Sequence, residues 1–387
     1  MMDPNSRISE GALFTQGEEE SREIRVVETT EELSPLKAFW KKATRNSESP
    51  FSSWDWNQAW WKHLSPNEGR PRFLVSEAPS SEPECIFPLV ESQGKLDLAG
   101  ADWCDFQDAI VTGERELNRG IDALLEWIQG RGLELSLTKL SQRGKLLPAL
   151  ERNEGEFDEF LFDFQLHGPC PWMKIRGDGM QEITSHFSKS TRKGLRRRIR
   201  QLREEHDAQL RVLEQLETPF LEAASRIHRN RHEESVFGNP AFVDFLRDVD
   251  QSGEVGLISF ALESRENDLI AFEIGFERSG RFFSWLGGYD PDYADYRPGT
   301  SIQTLVMEAL AARGTRCYDF LCGGEKYKFH FAEEEYQVRT AKVVQKNPIQ
   351  AAVIGMQRTE RTIRPFVKQA LQKAGLYRTS YRIDREI

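Results

Sequence analysis

The chain has 387 residues, 39% hydrophobic and 29% charged, with a formal net charge of −10 at pH 7. That balance suits a globular protein long enough to bury a core in each of two ordinary domains, and the acidity argues against general nucleic-acid binding. No run approaches the about 18 to 20 apolar residues that span a bilayer, and the N-terminus lacks a basic-then-apolar leader, so a cytoplasmic location is expected.

Residues 1–22 are polar, acidic around Glu18 to Glu20 and without periodicity, which predicts a disordered tail. A strand is expected from Ile24, a helix start at Thr30 to Leu33, and a second helix opening at Ser53-Trp54-Asp55-Trp56. Five tryptophans, Trp40, Trp54, Trp56, Trp60 and Trp61, make this helical pair a core element or, alternatively, a stacking platform for a sugar. Strands are predicted at 72–78, 84–91, 95–99 and 109–111, a helix at 115–129 and a strand at 133–139. A hinge is expected near 166–182, where His167-Gly168-Pro169-Cys170-Pro171 breaks the periodicity.

The second half reads as helices at 188–206, 219–235 and 240–250, strands at 255–263, 269–277 and 281–288, a helix at 299–313, and strands at 315–321 and 336–345. Its order repeats that of the first half, which predicts an internal structural duplication. The expected division is a first domain over 23–175, a second over 176–346 and a helical arm over 347–387. In the arm Ile349, Val353, Ile354, Met356, Ile363, Phe366, Val367 and Leu371 form one apolar stripe, expected to pack on the protein itself.

Chemistry concentrates between Trp285 and Lys328. Tyr296-Arg297-Pro298-Gly299-Thr300-Ser301 precedes a helix: Pro fixes φ, Gly lets a ligand approach the backbone, and Thr300 or Ser301 can cap. Free N–H groups at such a helix start suit a pyrophosphate, with Gly287 and Gly288 lining the preceding strand end. Asp319 sits mid-strand, either as a structural hydrogen-bond acceptor or as a base whose burial raises its pKa. After Cys322-Gly323-Gly324, Glu325 can take a proton from an acceptor and Lys328 can stabilise an oxyanion beside Tyr327, unless the two form a salt-linked pair on a turn.

The run Lys189 to Arg203 brings Arg192, Arg196, Arg200 and Arg203 near one helix face, for a phosphate-bearing substrate or as a solvated face. Cys85, Cys104, Cys170, Cys317 and Cys322 are scattered and odd in number, so reduced thiols are expected. His228 and His232 lack a third ligand and read as surface or packing residues; no metal is expected.

Together Phe51 to Trp61, Asp102 to Asp108, Ser188 to Arg197, Tyr296 to Gly299 and Tyr318 to Phe329 resemble the GNAT-fold acyltransferases of the CelD-like, polysaccharide-biosynthesis group, distant relatives of the FemAB aminoacyl transferases. The resemblance covers about residues 25–345. It implies an α/β (α+β) fold of two tandem GNAT-like domains, each a mixed, mostly antiparallel sheet flanked by helices. It also implies an acyl-CoA donor, acetyl-CoA or longer, transferred to an amine or hydroxyl of a sugar or cell-envelope precursor. Carried over by residue, Arg297, Gly299 and Thr300 match the donor loop, and Asp319, Glu325, Tyr327 and Lys328 match the terminal strand motif. Substrate contacts fall to Arg192, Arg196, Asp105 and Trp285. The RxxGxG loop of ordinary GNAT enzymes is reduced here to Arg297-Pro298-Gly299-Thr300, leaving open aminoacyl transfer from charged tRNA. A non-catalytic GNAT-like module in polysaccharide assembly is the third reading.

Overall fold

The computed structural model describes residues 23–177 and 179–373; the expected tail over 1–22 and the last part of the arm lie outside the described residues. In the first half β1 (Glu23–Val27) is followed by α1 (Thr30–Leu33), α2 (Lys37–Thr44), α3 (Trp54–His63), β2 (Arg70–Glu77), β3 (Pro83–Ser92) and β4 (Lys95–Leu98). Then come β5 (Ile110–Val111), α4 (Glu114–Ile128), β6 (Glu134–Ser141), α5 (Leu146–Asn153) and β7 (Phe160–Lys174). The second half begins with α6 (Met180–Ile183), α7 (Lys189–His206), β8 (Gln209–Leu213), α8 (Thr218–Arg231), α9 (Pro240–Ser252), β9 (Leu257–Glu263), β10 (Leu269–Arg278) and β11 (Arg281–Tyr289). It continues through α10 (Pro298–Arg313), β12 (Cys317–Asp319), α11 (Lys326–Phe331) and β13 (Glu334–Gln345) to α12 (Pro348–Lys373).

Local chemistry sets the helix starts. Thr29 and Glu32 form a capping box at α1, and the Ser53 hydroxyl accepts from Trp56 N at α3. At α10, Pro298 supplies the first helical residue after Arg297 in the left-handed region (φ 47°), and Gly314 (φ 96°) ends the helix.

One sheet runs through both halves in the order β1-β2-β3-β4-β6-β13-β7-β12-β11-β10-β9-β8, with β5 on β3. Within it β4 and β6 are parallel, as are β11 and β12, and the remaining neighbours are antiparallel. Each half therefore builds a four-stranded meander closed by a parallel strand, and each then sends its next strand across to the other half. β7 borders β12 while β13 borders β6, and the two crossing strands pair from Glu334↔Trp172 to Gln345↔Phe160.

The expected hinge is instead most of β7. Pro169 and Pro171 are tolerated because their missing N–H groups lie on the edge where β12 has already ended; their carbonyls there accept from Gly323 N (3.0 Å) and Phe320 N (3.0 Å). No element is predicted from the sequence at β8 or α5, and the stretch after the double glycine is helix α11 rather than a turn at a strand end.

All five early tryptophans are buried, at 0 to 8% exposure, so they are core and not a sugar platform. Trp56 packs edge-on against Phe245 (4.8 Å) and Trp285 (5.2 Å), and Phe51 against Phe276 (5.6 Å). Such pairs contribute about 0.5–1.5 kcal/mol each beyond their area and join the two halves through one aromatic core. The apolar stripe of α12 departs from expectation. Ile354 is buried, Val353 is half-buried, and Ile349, Met356, Ile363 and Phe366 are exposed; the side chains of Val367 and Leu371 lie outside the described residues. What ties the helix down is Asp163 on β7, which accepts from Arg361 Nη2 (2.5 Å) and Arg358 Nε (3.2 Å). Among the described residues no helix is long and apolar enough to cross a membrane.

Candidate active site

The parallel pair β11 and β12 diverges early. β12 pairs with Arg281 to Phe283 of β11, so from Ser284 to Tyr289 the edge of β11 facing away from β10 has no strand partner among the described residues. Into this opening comes the N-terminus of α10. Pro298 has no N–H, and the first-turn N–H groups of Gly299 and Thr300 have no backbone acceptor among the described residues. A cavity of about 210 Å³ fills the gap.

Gly287, Gly288, Trp285, Gly299, Thr300, Asp105, Glu325, Tyr327 and Lys328 all line it. A Cβ on Gly288 would lie 2.9 Å from the Phe272 ring and 3.1 Å from Ile227, so glycine keeps the wall thin there. Lys328, 5% exposed, donates to Cys322 O (2.9 Å) and makes an ionic contact of 3.1 Å with Glu325 Oε2 that is not aligned as a hydrogen bond. Burial pushes the Tyr327 phenol above its ordinary value, which keeps it protonated. Asp105 reaches in from the first half and accepts from Cys322 N (3.0 Å); burial raises its pKa despite the nearby Lys328 and Lys139.

Other expected residues lie elsewhere. Asp319 is fully buried behind the cavity, where its carboxylate accepts from Leu321 N (3.0 Å), Arg281 Nη1 (3.2 Å) and Tyr336 Oη (3.4 Å). Burial lifts it to about 6, yet it does not line this cavity, so the geometry fits the structural acceptor and not the base. Ser301 is buried and turns its hydroxyl back to Arg297 O (3.3 Å), so it does not cap. Arg297 is exposed outside the cavity lining. Arg192 and Arg196 line a separate open groove of about 550 Å³ with Lys189, Lys193, Arg197 and Arg200.

Four contributors were not anticipated. Glu273 on β10 stands opposite Gly287 in the β10–β11 register, is 3% exposed, receives a hydrogen bond from Tyr318 Oη and leaves Oε2 without a partner among the described residues. Burial raises its pKa to about 7, outweighing the opposite pull of the neighbouring Ser284 and Tyr318 hydroxyls. Its signal in the sequence was one carboxylate within the otherwise apolar Leu269 to Phe276. His228 on α8 and His232 just beyond its end also line the cavity, and burial pushes His228 down to about 4, so it is neutral at pH 7. Gln303 adds a second buried oxygen, Oε1, without a partner.

The arrangement sets helix N–H groups on one side of a cavity, and carboxylates, an ammonium and a phenol on the other. An acyl-CoA fits this donor set: the Gly299 and Thr300 N–H groups suit its pyrophosphate, and the unpartnered oxygens suit its amide N–H groups. Residues 189–329, from α7 into α11, match the family model described as an acetyltransferase (GNAT) domain. Comparison with curated proteins finds no match.

Among solved structures the fold resembles FemX (TM-score 0.54, 10% identity, 85% of this chain and 99% of that one). It also resembles L-PGS from Bacillus licheniformis (0.53, 11%, 84% and 96%). A conserved protein of unknown function from Bacteroides thetaiotaomicron is similar to the same degree (0.53, 11%, 84% and 100%). Residues 189–329 are thus similar to a GNAT acetyltransferase domain, and the first half repeats the strand order of that segment's sheet in a strand-exchanged arrangement.

Proposed function

We propose that the protein is an acyltransferase that moves an acyl group from acyl-CoA to an amine or hydroxyl of a sugar or cell-envelope precursor, in keeping with the CelD-like resemblance. The observation that carries this reading is the cavity at the open end of β11 and β12, with the α10 N-terminus on one flank and Glu273, Glu325 and Lys328 on the other. We assign the cytoplasm as the compartment; the five free cysteines are in keeping with reducing surroundings.

In this mechanism the acceptor nitrogen or oxygen bonds to the acyl carbon while its proton passes to Glu273, whose pKa near 7 suits a base working at neutral pH. Lys328 and the unpaired edge of β11 stabilise negative charge on the acyl oxygen, and Glu325 holds the ammonium in place. The carbon–sulfur bond breaks, and Tyr327 gives its proton to the departing sulfur, then recovers one from solvent.

Calorimetric titration with CoA, acetyl-CoA and longer acyl-CoAs tests the reading. A ligand at about a hundred times its Kd adds about 2.7 kcal/mol to stability. Acyl-CoA turnover that falls about a hundredfold or more in Lys328→Met with binding retained is the expected result. Absence of any response to CoA species would sink it. A second reading, aminoacyl transfer from charged tRNA, is favoured by the basic groove of α7; it predicts RNA affinity that falls steeply with salt.

A further inference from the structure

A second cavity, of about 540 Å³, opens in the first half and shares no lining residue with the candidate active site. It lies between the α2–α3 loop, the segment before α4 and the turn joining β6 to α5, with Phe283 and Tyr336 entering from the second half. The same elements of the second half, the end of α8 and the segment joining β12 to α11, frame the candidate active site, so the duplication has left a pocket in each half.

Its walls are built and left unsatisfied. Ser52 and Gln107 are 2% and 1% exposed, and Ser52 Oγ, Gln107 Oε1 and the neighbouring Ser49 Oγ have no hydrogen-bond partner among the described residues. Their positions are fixed from behind. Trp40 Nε1 donates to Ser52 O (2.9 Å) and Asn57 Nδ2 to Phe51 O (3.0 Å), while the Gln107 amide donates to Ala99 O (3.0 Å) and its backbone N–H to Lys139 O (3.1 Å). Two hydroxyls and a carbonyl oxygen so held call for a ligand rich in groups that both donate and accept.

The charge at the mouth is positive. Arg143 is exposed, with its guanidinium over the rings of Trp172 (4.8 Å) and Tyr336 (5.0 Å), and neither it nor the exposed Lys42 makes a salt bridge among the described residues. The lining carboxylates are already engaged: Asp108 accepts from Lys145 N (2.7 Å), Leu146 N (2.8 Å) and Ala109 N (2.9 Å), and Glu48 lies 3.5 Å from Arg281.

We propose that this cavity is a binding site for a carbohydrate bearing one anionic group, a phosphate or a carboxylate. Sugar hydroxyls satisfy Ser49, Ser52 and Gln107, the rings of Phe106, Phe283 and Tyr336 cover the apolar face of the sugar, and Arg143 takes the anion. Calorimetry on the full chain with glucose 6-phosphate, glucuronate, glucose and inorganic phosphate tests this, and the first two separate phosphate from carboxylate recognition. The expected result is binding of at least one charged sugar with a Kd below about 1 mM, weakened about tenfold or more by Arg143→Ala while acyl-CoA binding is unchanged. Because Arg143 is exposed, its variant keeps the fold; Ser52→Val, if folded, weakens sugars but not inorganic phosphate. Binding of none of the four, inorganic phosphate binding as tightly as the sugar phosphate, or an Arg143→Ala variant that binds as wild type would overturn the proposal.

Discussion

Glu273→Gln removes a carboxyl that the fold holds against its own ionisation. The residue is 3% exposed, and burial lifts its pKa from the ordinary 4.5 to about 7. Between those values the unfolded chain has released a proton that the folded protein still binds, so wild-type stability falls as pH rises through the window. The interval, at about 1.36 kcal/mol per pH unit, amounts to about 3 kcal/mol. Glutamine has no such term and can still accept from Tyr318. The stability of the variant relative to wild type should therefore grow by about 3 kcal/mol from pH 4.5 to just above 7 and stay level beyond. Urea unfolding of both proteins across pH 4.5 to about 8.5 reads this directly. In the same variant the rise of kcat/KM through about pH 7, expected for wild type, should disappear. A stability difference that does not vary with pH would refute the buried, neutral carboxyl, and an unchanged pH–rate profile would remove Glu273 from the reaction.

Gly323→Ala places a Cβ against Glu325 Oε2 and 2.6 Å from Lys328 Nζ, at φ 148°; a cost of about 1–3 kcal/mol and a drop in kcat larger than any change in acyl-CoA Kd are expected from unfolding and steady-state measurements. Asp319→Asn should leave the pH dependence of kcat/KM as in wild type, since the carboxyl meets Arg281, Leu321 and Tyr336 and does not line the active-site cavity; loss of a limb would restore it as a base. Burial opposes ionisation of Asp163, but hydrogen bonds from Arg361, Gln165 and Arg358 hold its pKa below 3.8, so its stabilisation is present above that value and fades as pH falls through the lower folded one. Asp163→Asn should free α12 at neutral pH, read as faster proteolysis between residues 348 and 373 with the remaining sheet intact.

Local signals made much of the second half legible. Pro298 and Gly314 bracket α10 within a residue of the predicted 299–313, and alternation located β10 and β11. β7 was missed because Gly168, Pro169 and Pro171 break strands when considered alone. Only the early end of β12 explains why a strand can carry two prolines on that edge. β8 is five residues at the sheet edge, too short for a period to declare itself. Within the candidate site, Glu325, Tyr327 and Lys328 were readable because they follow a double glycine in one run of sequence. Glu273 was not, since its place depends on a register that sets it across from Gly287.

Asp105 does more than its place in a loop suggests. The carboxylate donated by the first half accepts from Cys322 N across a separation of 217 residues, beside the carbonyl that receives Lys328 Nζ. The backbone segment carrying the proposed oxyanion cation is thus clamped by the other half of the chain, and the crossing of β7 and β13 holds the two halves in one sheet. A second-half domain cut out at residue 176 would lose both Asp105 and β7, the strand on which Pro169 O and Pro171 O anchor Gly323 and Phe320. Duplication followed by strand exchange therefore makes the site a property of the whole chain, although its recognisable motif lies within a single half.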